Sequence, residues 1–539
     1  MAILGKFLKH RDGNFAVMAA LGAVPLIFAT GAGLDVSRMY SARVQLQQAI
    51  DSAALSVVKE SGFDKAAADA IAERMLLANF GPNYRALSVE LSESGARVSA
   101  EVVTPTTLTA VFGYKEMTAQ VTGTVEYPQT RYEIGLVLDT TGSMAGTKLA
   151  EMKKAAAAMV DELSATPLLR QRVRFALVPF STYVNVGGDN KNAAWIDTEG
   201  LVHLPGSIIP TGVSRTRIFQ AGFPGEGWKG CVEARIESGT ETFSVDDTAP
   251  SKSNPRTLFV PMLSPDEPAD TNGRGRPLYP NNFTKDDTLK GLGVTISSAG
   301  VVSYLQAVLN VGSYLFYGNS SDPQGPNNGC SARPLTPLTD DFAAIKSEIT
   351  QLKAEGSTNI TEGMAWGARV LSPGEPFTEG LDPDQDVEKI IVLLTDGDNT
   401  MTQLPNAKGS AYSAYGYLSD WRWDKSYKNG GYGKLCNNGD VPDGDGNCSK
   451  KKGADVTAVT QAQILTAMNA DTLAACDSAK ESGQEVYTIR LEVNTTTSST
   501  LLSNCASDAA HYFDAKSAAD LPAIFDAITQ RILKLRITS

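Results

Sequence analysis

Twenty consecutive residues without a charge, Phe15 to Leu34, constrain the start of this chain more than any other feature. At ~1.5 Å per residue, an uncharged helix of this length spans a hydrocarbon core of ~30 Å. Lys6, Lys9 and Arg11 precede it, which predicts that the N-terminus stays on the cytoplasmic side. A cleaved signal peptide normally has a shorter apolar region. Here the helical pattern runs on, through Met39, Ala42, Leu46, Ala49, Ala53 and Val57 at spacings of three and four. One uncleaved helix is therefore expected to leave the membrane and continue as an amphipathic stalk, with Pro25 tolerated as a kink.

The rest divides by pattern. Residues 1–13 form a basic tail and 14–35 the membrane helix. Residues 36–128 read as a small α+β module. It has a long helix broken near Gly62, then alternating strands around Val89, Val98 and Val121. From 129 to 539, buried strands such as EIGLVL (133–138), VRFALVP (173–179) and KIIVLL (389–394) alternate with helical runs. That alternation predicts a doubly wound, mostly parallel α/β sheet. Helices are expected over 144–163, 341–352, 361–370, 458–482 and 518–533, and a further strand over 485–491. Two Gly-, Pro- and Asn-rich stretches, about 187–337 and 402–455, are too long for plain loops and read as insertions. The first holds an apolar run near Val301–Phe316. The second carries an aromatic set from Tyr412 to Tyr432.

Cysteine use points to an oxidising compartment. Cys231, Cys330, Cys436, Cys448, Cys476 and Cys505 are even in number, all follow the apolar run, and form no CxxC pair. Six cysteines allow 15 pairings. Sequence neighbours favour 436–448 and 476–505, leaving 231–330. The chain carries a net charge of −12, of which residues 1–13 contribute +2, so nothing draws it to nucleic acid. With only His10, His203 and His511 present, His-ligated metals and Ser-His-Asp catalysis are poorly supplied. Both extracytoplasmic histidines read as structural or surface residues, and no GxSxG elbow occurs.

Oxygen donors are better provided. Asp139, Thr141 and Ser143 follow the strand EIGLVL at i, i+2 and i+4. Thr358 lies in GSTNI just before a helix, and Asp396 follows KIIVLL. Open α/β sheets bind ligands beyond the carboxyl ends of their strands, and an all-oxygen set suits a hard cation. Two carboxylates leave such a cation short of anionic ligands, so a partner's Asp or Glu would complete it. Simple helix capping by Thr141 and Ser143 explains one cluster and not the other two. DTTGS is also similar to the phosphorylated DKTGT of cation pumps and the DTGS of aspartic proteases. The lysine is absent for the first, and the extra Thr and the helices contradict the second. Asp443-Gly-Asp445-Gly-Asn447 begins like a calcium loop, but Cys448 and Ala454 stand where Gly and Glu are needed.

Together, D-x-T-x-S, the Thr of GSTNI and the Asp of LLTDG resemble the metal-ion-dependent adhesion site of von Willebrand factor type A domains. The resemblance implies that Thr141, Ser143 and Thr358 coordinate a divalent metal, Mg²⁺ first with Ca²⁺ or Mn²⁺ as alternatives. Asp139 and Asp396 would hold it, leaving one position for a ligand carboxylate. The segment RDGNFAVMAALGAVPLIFATGAGLDVSRMYSARVQLQQAIDSAAL is similar to the TadE/TadG-like start of bacterial Flp (tight adherence) pilus assembly proteins. WKGCVEAR (228–235), CDSAK, YTIRLEVN, NCASD and YFDA resemble TadG-like members, which join that start to a type A-like domain. Related pseudopilins are cut after a Gly with a Glu five residues on; Gly13 here is followed by Met18 at that place, which favours a permanent anchor. The resemblance implies a non-enzymatic pilus assembly or adhesion protein in a bacterial inner membrane. Its bulk would lie in the periplasm, and it would bind pilus components. The alternatives are a structural tether whose metal only stabilises the fold, and a metal-dependent periplasmic hydrolase.

Overall fold

The computed structural model describes residues 11–265, 325–418 and 461–538, apart from a few short stretches, and some positions between. It divides into two compact units, the first ending at Gln129 and the second beginning at Thr130.

In the first unit a 50-residue helix, α1 (Arg11–Glu60), carries the uncharged run, with Pro25 inside it. Leu21, Val24, Leu26 and Ile27 on that run are exposed. Further along, Leu46, Ala49, Ala53 and Val57 of the expected stripe are buried, while Met39 and Ala42 are half-buried. They meet α2 (Lys65–Asn79), whose first turn is capped by Asp64 accepting from Ala66 N at 2.8 Å. Beneath lies an antiparallel sheet in the order β1 (Tyr84–Ser92), β2 (Gly95–Pro105), β3 (Glu116–Glu126). Leu46, Ile50, Val57, Leu76, Val98 and Val102 form one core, each worth roughly 1.5–3 kcal/mol on burial. A Cβ at Gly123 would come within 2.8 Å of Ile50 and Asp51, so β3 can approach α1 this closely only with glycine there.

The second unit holds, among the described residues, a six-stranded sheet. Its strands are β4 (Arg131–Asp139), β5 (Val173–Phe180), β6 (Thr336–Thr339), β7 (Val387–Thr395), β8 (Gln484–Leu491) and β9 (Tyr512–Ala515), in the order β9-β8-β7-β4-β5-β6. All neighbours pair in parallel except β5 with β6. The central strands are buried along nearly their whole length because helices cover both faces. On one face, α3 (Thr147–Leu163), α4 (Phe342–Gln351) and α8 (Leu521–Thr538) pack on Leu136, Leu138, Phe175 and Val392. On the other, α5 (Ile360–Arg369), α6 (Gln461–Glu481) and α7 (Thr496–Cys505) pack on Val137, Val178 and Leu393.

The chain winds outward from β4 through β5 to β6, then returns to β4's other side with β7 and winds outward again. The order therefore reverses between β4 and β7, and the carboxyl ends of these two strands form the switch point beyond which open α/β sheets bind ligands.

Several sequence expectations shift. The helix expected from Met144 begins at Thr147, because Gly142–Met144 forms a 3-10 turn and Gly146 takes a positive φ of 85°. Neither Thr141 nor Gly146, the residues at the two N-caps, makes a side-chain capping bond, so helix capping does not account for the hydroxyls here. The expected pairs Cys231–Cys330 and Cys476–Cys505 are formed. The pairing 436–448, the run 301–316, the loop at 443–447 and the aromatics beyond residue 420 lie outside the described residues. Tyr412, Tyr415 and Tyr417 are internal packing: Tyr412 stacks edge-on with Tyr417, and Tyr415 with Phe243. His203 is exposed, and His511 sits against Tyr487 between Glu485 and Asp508.

Candidate metal centre

Asp139 ends strand β4 at the switch point and is fully buried. Its Oδ1 accepts from Thr141 N at 2.8 Å and its Oδ2 from Thr395 Oγ1 at 2.6 Å. This carboxylate thus spans the two strands at the switch point and fixes the turn that follows. Beyond it, the Thr141 and Ser143 hydroxyls lie 3.0 Å apart, and Ser143 Oγ donates to Asp396 Oδ1 at 2.6 Å, from a residue 253 positions away. The parallel register that sets Leu138 beside Leu394 places the two loop starts together.

The third loop is laid across both. Glu355 N donates to Thr140 O, Gly142 N to Gly356 O, Thr358 N to Thr400 Oγ1, and Thr400 N to Thr358 O, at 2.8 to 3.0 Å. A Cβ on Gly397 would lie 3.5 Å from Thr358 Oγ1, which sets that hydroxyl against the turn after Asp396. Asn359 then caps α5 by accepting from Glu362 N. The fold therefore brings Asp139, Thr141, Ser143 and Asp396 into one hydrogen-bonded chain, with Thr358 on the adjoining loop.

Burial, then the nearby charge of Asp396, pushes the Asp139 carboxyl up to about 6, against the pull of its bonds from Thr141 and Thr395. Two buried carboxylates that repel, together with hydroxyls and no nitrogen or sulfur donor, form a donor set suited to a hard divalent cation. Among the described residues no cluster of three or more His, Cys, Asp or Glu side chains competes as a metal site.

One residue here escaped the sequence reading. Lys148, in the first turn of α3, donates to Asp396 Oδ2 at 2.7 Å and lies 3.9 Å from Glu492. A cation near a helix N-terminus opposes the helix dipole, and that misplacement was the available signal of an anionic partner. The ammonium places a positive charge beside the buried Asp396.

Residues 13–69 match the family model described as putative Flp pilus-assembly TadE/G-like. No curated protein matches the chain. Among solved structures, the chain is similar to the vWF domain of the type V pili tip protein Mfa5 from Porphyromonas gingivalis, at 13% identity and a TM-score of 0.31, covering 75% of this chain and 95% of that one. It is also similar to the adhesive tip pilin GBS104 from Group B Streptococcus agalactiae, at 12% identity and a TM-score of 0.33, covering 75% and 100%. For the pilus adhesin SpaC from Lactobacillus rhamnosus GG the identity is 12% and the TM-score 0.32, covering 84% of this chain and 34% of that one.

Proposed function

We propose that this is a membrane-anchored protein of the pilus assembly and adhesion kind. In this reading α1 holds it in a bacterial inner membrane with the second unit in the periplasm. The carboxyl end of its sheet binds a protein partner through a divalent cation, and it is a binding protein, not an enzyme. Asp139, Thr141, Ser143, Thr358 and Asp396 would hold the cation, Mg²⁺ by preference. The cation would supply a Lewis-acidic position for a partner's Asp or Glu carboxylate. The observation that carries the reading is the Ser143–Asp396 bond at the switch point, which joins two oxygen-bearing loops from opposite halves of the chain.

The chain's own residues have separate tasks. Asp139, buried and doubly hydrogen-bonded, orients the turn and cannot swing outward. Ser143 lies on an exposed residue at the rim, where a partner can reach. Asp396 carries the charge that Lys148 now balances.

The test is partner capture from detergent-solubilised membranes with and without EDTA, alongside Asp139→Ala and Asp396→Ala. Each variant is expected to lose divalent affinity by about 10–100-fold while keeping its circular dichroism spectrum. Capture that persists in EDTA and in both variants would remove the metal from the mechanism. If capture persists but the melting temperature falls with EDTA, the cation serves only the fold and the protein is a tether.

Lys148→Met provides an independent check. Removing the ammonium that competes for Asp396 Oδ2 should tighten Mg²⁺ or Mn²⁺ binding by about tenfold, ~1.4 kcal/mol, as read by calorimetry. Weaker binding in this variant would show that Lys148 supports the site instead of competing with the cation.

A further inference from the structure

We propose that the connection between β2 and β3 is a second membrane contact, a foot whose Val111 and Tyr114 enter the headgroup–acyl boundary beside α1. The proposal rests on the reading of α1 as a membrane anchor and adds a surface to it.

Asp35 is the first charged residue after the uncharged run, so it stands where the helix leaves the hydrocarbon. It is only 2% exposed. Thr107 N and Thr109 N donate to its carboxylate at 3.1 and 3.0 Å, and Thr109 Oγ1 does so at 2.8 Å. Arg38, one turn on, donates to Thr107 Oγ1 at 2.7 Å. These bonds fasten the connection to the helix at the membrane edge. They also answer a local difficulty, since an unsatisfied carboxylate at that depth is costly. Gly31, one turn earlier and still within the uncharged run, is buried, so the covered face of α1 extends below Asp35.

At the same end, the 3-10 turn Thr109–Phe112 and the residues after it present apolar groups outward. Val111 is 79% exposed and Tyr114 66%, while Leu34, Val36 and Tyr40 on α1 are exposed as well. Elsewhere in the unit outside the span, Leu55 and Leu77 are exposed at 59% and 48%, each alone and less than Val111 and Tyr114. Tyr114 and Tyr40 are of the type enriched at lipid interfaces, and Lys115 and Arg38 are placed to reach lipid phosphates. Strand direction fixes the geometry. Gln47 Nε2 donates to Thr122 O, and Ile50 and Asp51 crowd Gly123, so β3 climbs away from the membrane alongside α1. The Ser92–Gly95 end of the β1–β2 pair then lies about 30 Å from the foot, at ~3.3 Å per residue along β2.

The occupant is the lipid boundary, because the patch is continuous with the helix that crosses it. Two contacts on one rigid unit would fix the tilt of the stalk, which one helix alone leaves free.

Depth-dependent quenching tests this on the full-length chain in phosphatidylethanolamine–phosphatidylglycerol liposomes. Single variants Val111→Cys, Val24→Cys and Ser92→Cys are labelled with an environment-sensitive fluorophore, the similarly treated wild type serving as blank. Lipids doxyl-labelled near the headgroup are expected to extinguish emission at 111, and deep doxyl groups emission at 24, with 92 unaffected. Quenching at 24 with 111 behaving like 92 would overturn the foot while leaving the anchor intact. Blue-shifted emission at 111 that lipid quenchers do not reach would mean that protein covers the patch, and would also overturn it. Absence of quenching at 24 would defeat the anchor reading and the foot together.

Discussion

Replacing both Cys231 and Cys330 by serine is expected to cost the second unit about 4–5 kcal/mol of stability, from the loop entropy released by opening a ring of about a hundred residues. The bridged positions are 99 apart. Cys231 is fully buried, and its neighbours tie the two ends of the β5–β6 insertion together. Val186 N donates to Gly230 O, and Leu335 N to Asn185 O, both at 2.8 Å, and Asn185 Nδ2 reaches Ala332 O at 3.0 Å. The bridge therefore closes the neck through which the insertion leaves and rejoins the sheet. Gly230 is needed there: its φ is 110°, and a Cβ would fall 2.3 Å from Asn185 Oδ1. Urea titration under non-reducing conditions measures the effect. The Cys476/Cys505 pair, 29 apart, should cost less, ~3–4 kcal/mol by the same relation. Equal losses for the two pairs would show that local packing, not chain entropy, sets the cost.

Arg369→Ala is the second large effect. Arg369 ends α5 and is 1% exposed. Its guanidinium donates to Ser244 O at 2.7 Å and Asp246 O at 3.0 Å, and stands over the rings of Phe259 and Trp366. Arg235 covers Phe259 as well and bonds Asp246 Oδ1 at 2.7 Å. Burial, then the neighbouring Arg369, draws Arg235 down to about 9, and burial raises the Glu362 carboxyl. These groups clamp the insertion to α5, the helix whose N-terminus follows Thr358. Removing one member leaves buried carbonyls and Glu362 uncompensated, and about 3–5 kcal/mol should be lost. Arg369→Lys should restore little, since an ammonium can neither stack nor reach both carbonyls. Divalent affinity is expected to fall with it, and stability lost at unchanged affinity would mean that the clamp does not position the 355–359 loop.

Much of this was legible along the chain. The stripe from Leu46 to Val57 appeared because helical spacing survives in a sequence wherever one face is buried. β4, β5 and β7 appeared because strands covered on both faces become unbroken apolar runs. The elements without a clear signal were short or polar. β6 is four residues, TPLT, at the sheet edge. Within α7, TTSSTLLSNC, only Ser498, Leu501, Leu502 and Cys505 are buried. The start of α3 was misplaced because a 3-10 turn and Gly146 precede it, and neither disturbs the apolar spacing.

The site divides in the same way. Asp139, Thr141 and Ser143 stand together in sequence, so their alternation after a strand could be seen directly. By itself the sequence determined the uncharged helical run, the alternation of strands and helices, and which oxygen-bearing residues follow those strands. Only the tertiary structure decided that Ser143 meets Asp396, that Lys148 neutralises it, and that Asp35 holds the connection between β2 and β3. Periodicity reports which face of an element is buried, and carries no record of which distant loop is buried beside it. That record lies in the strand order, where the reversal between β4 and β7 makes neighbours of residues 253 positions apart.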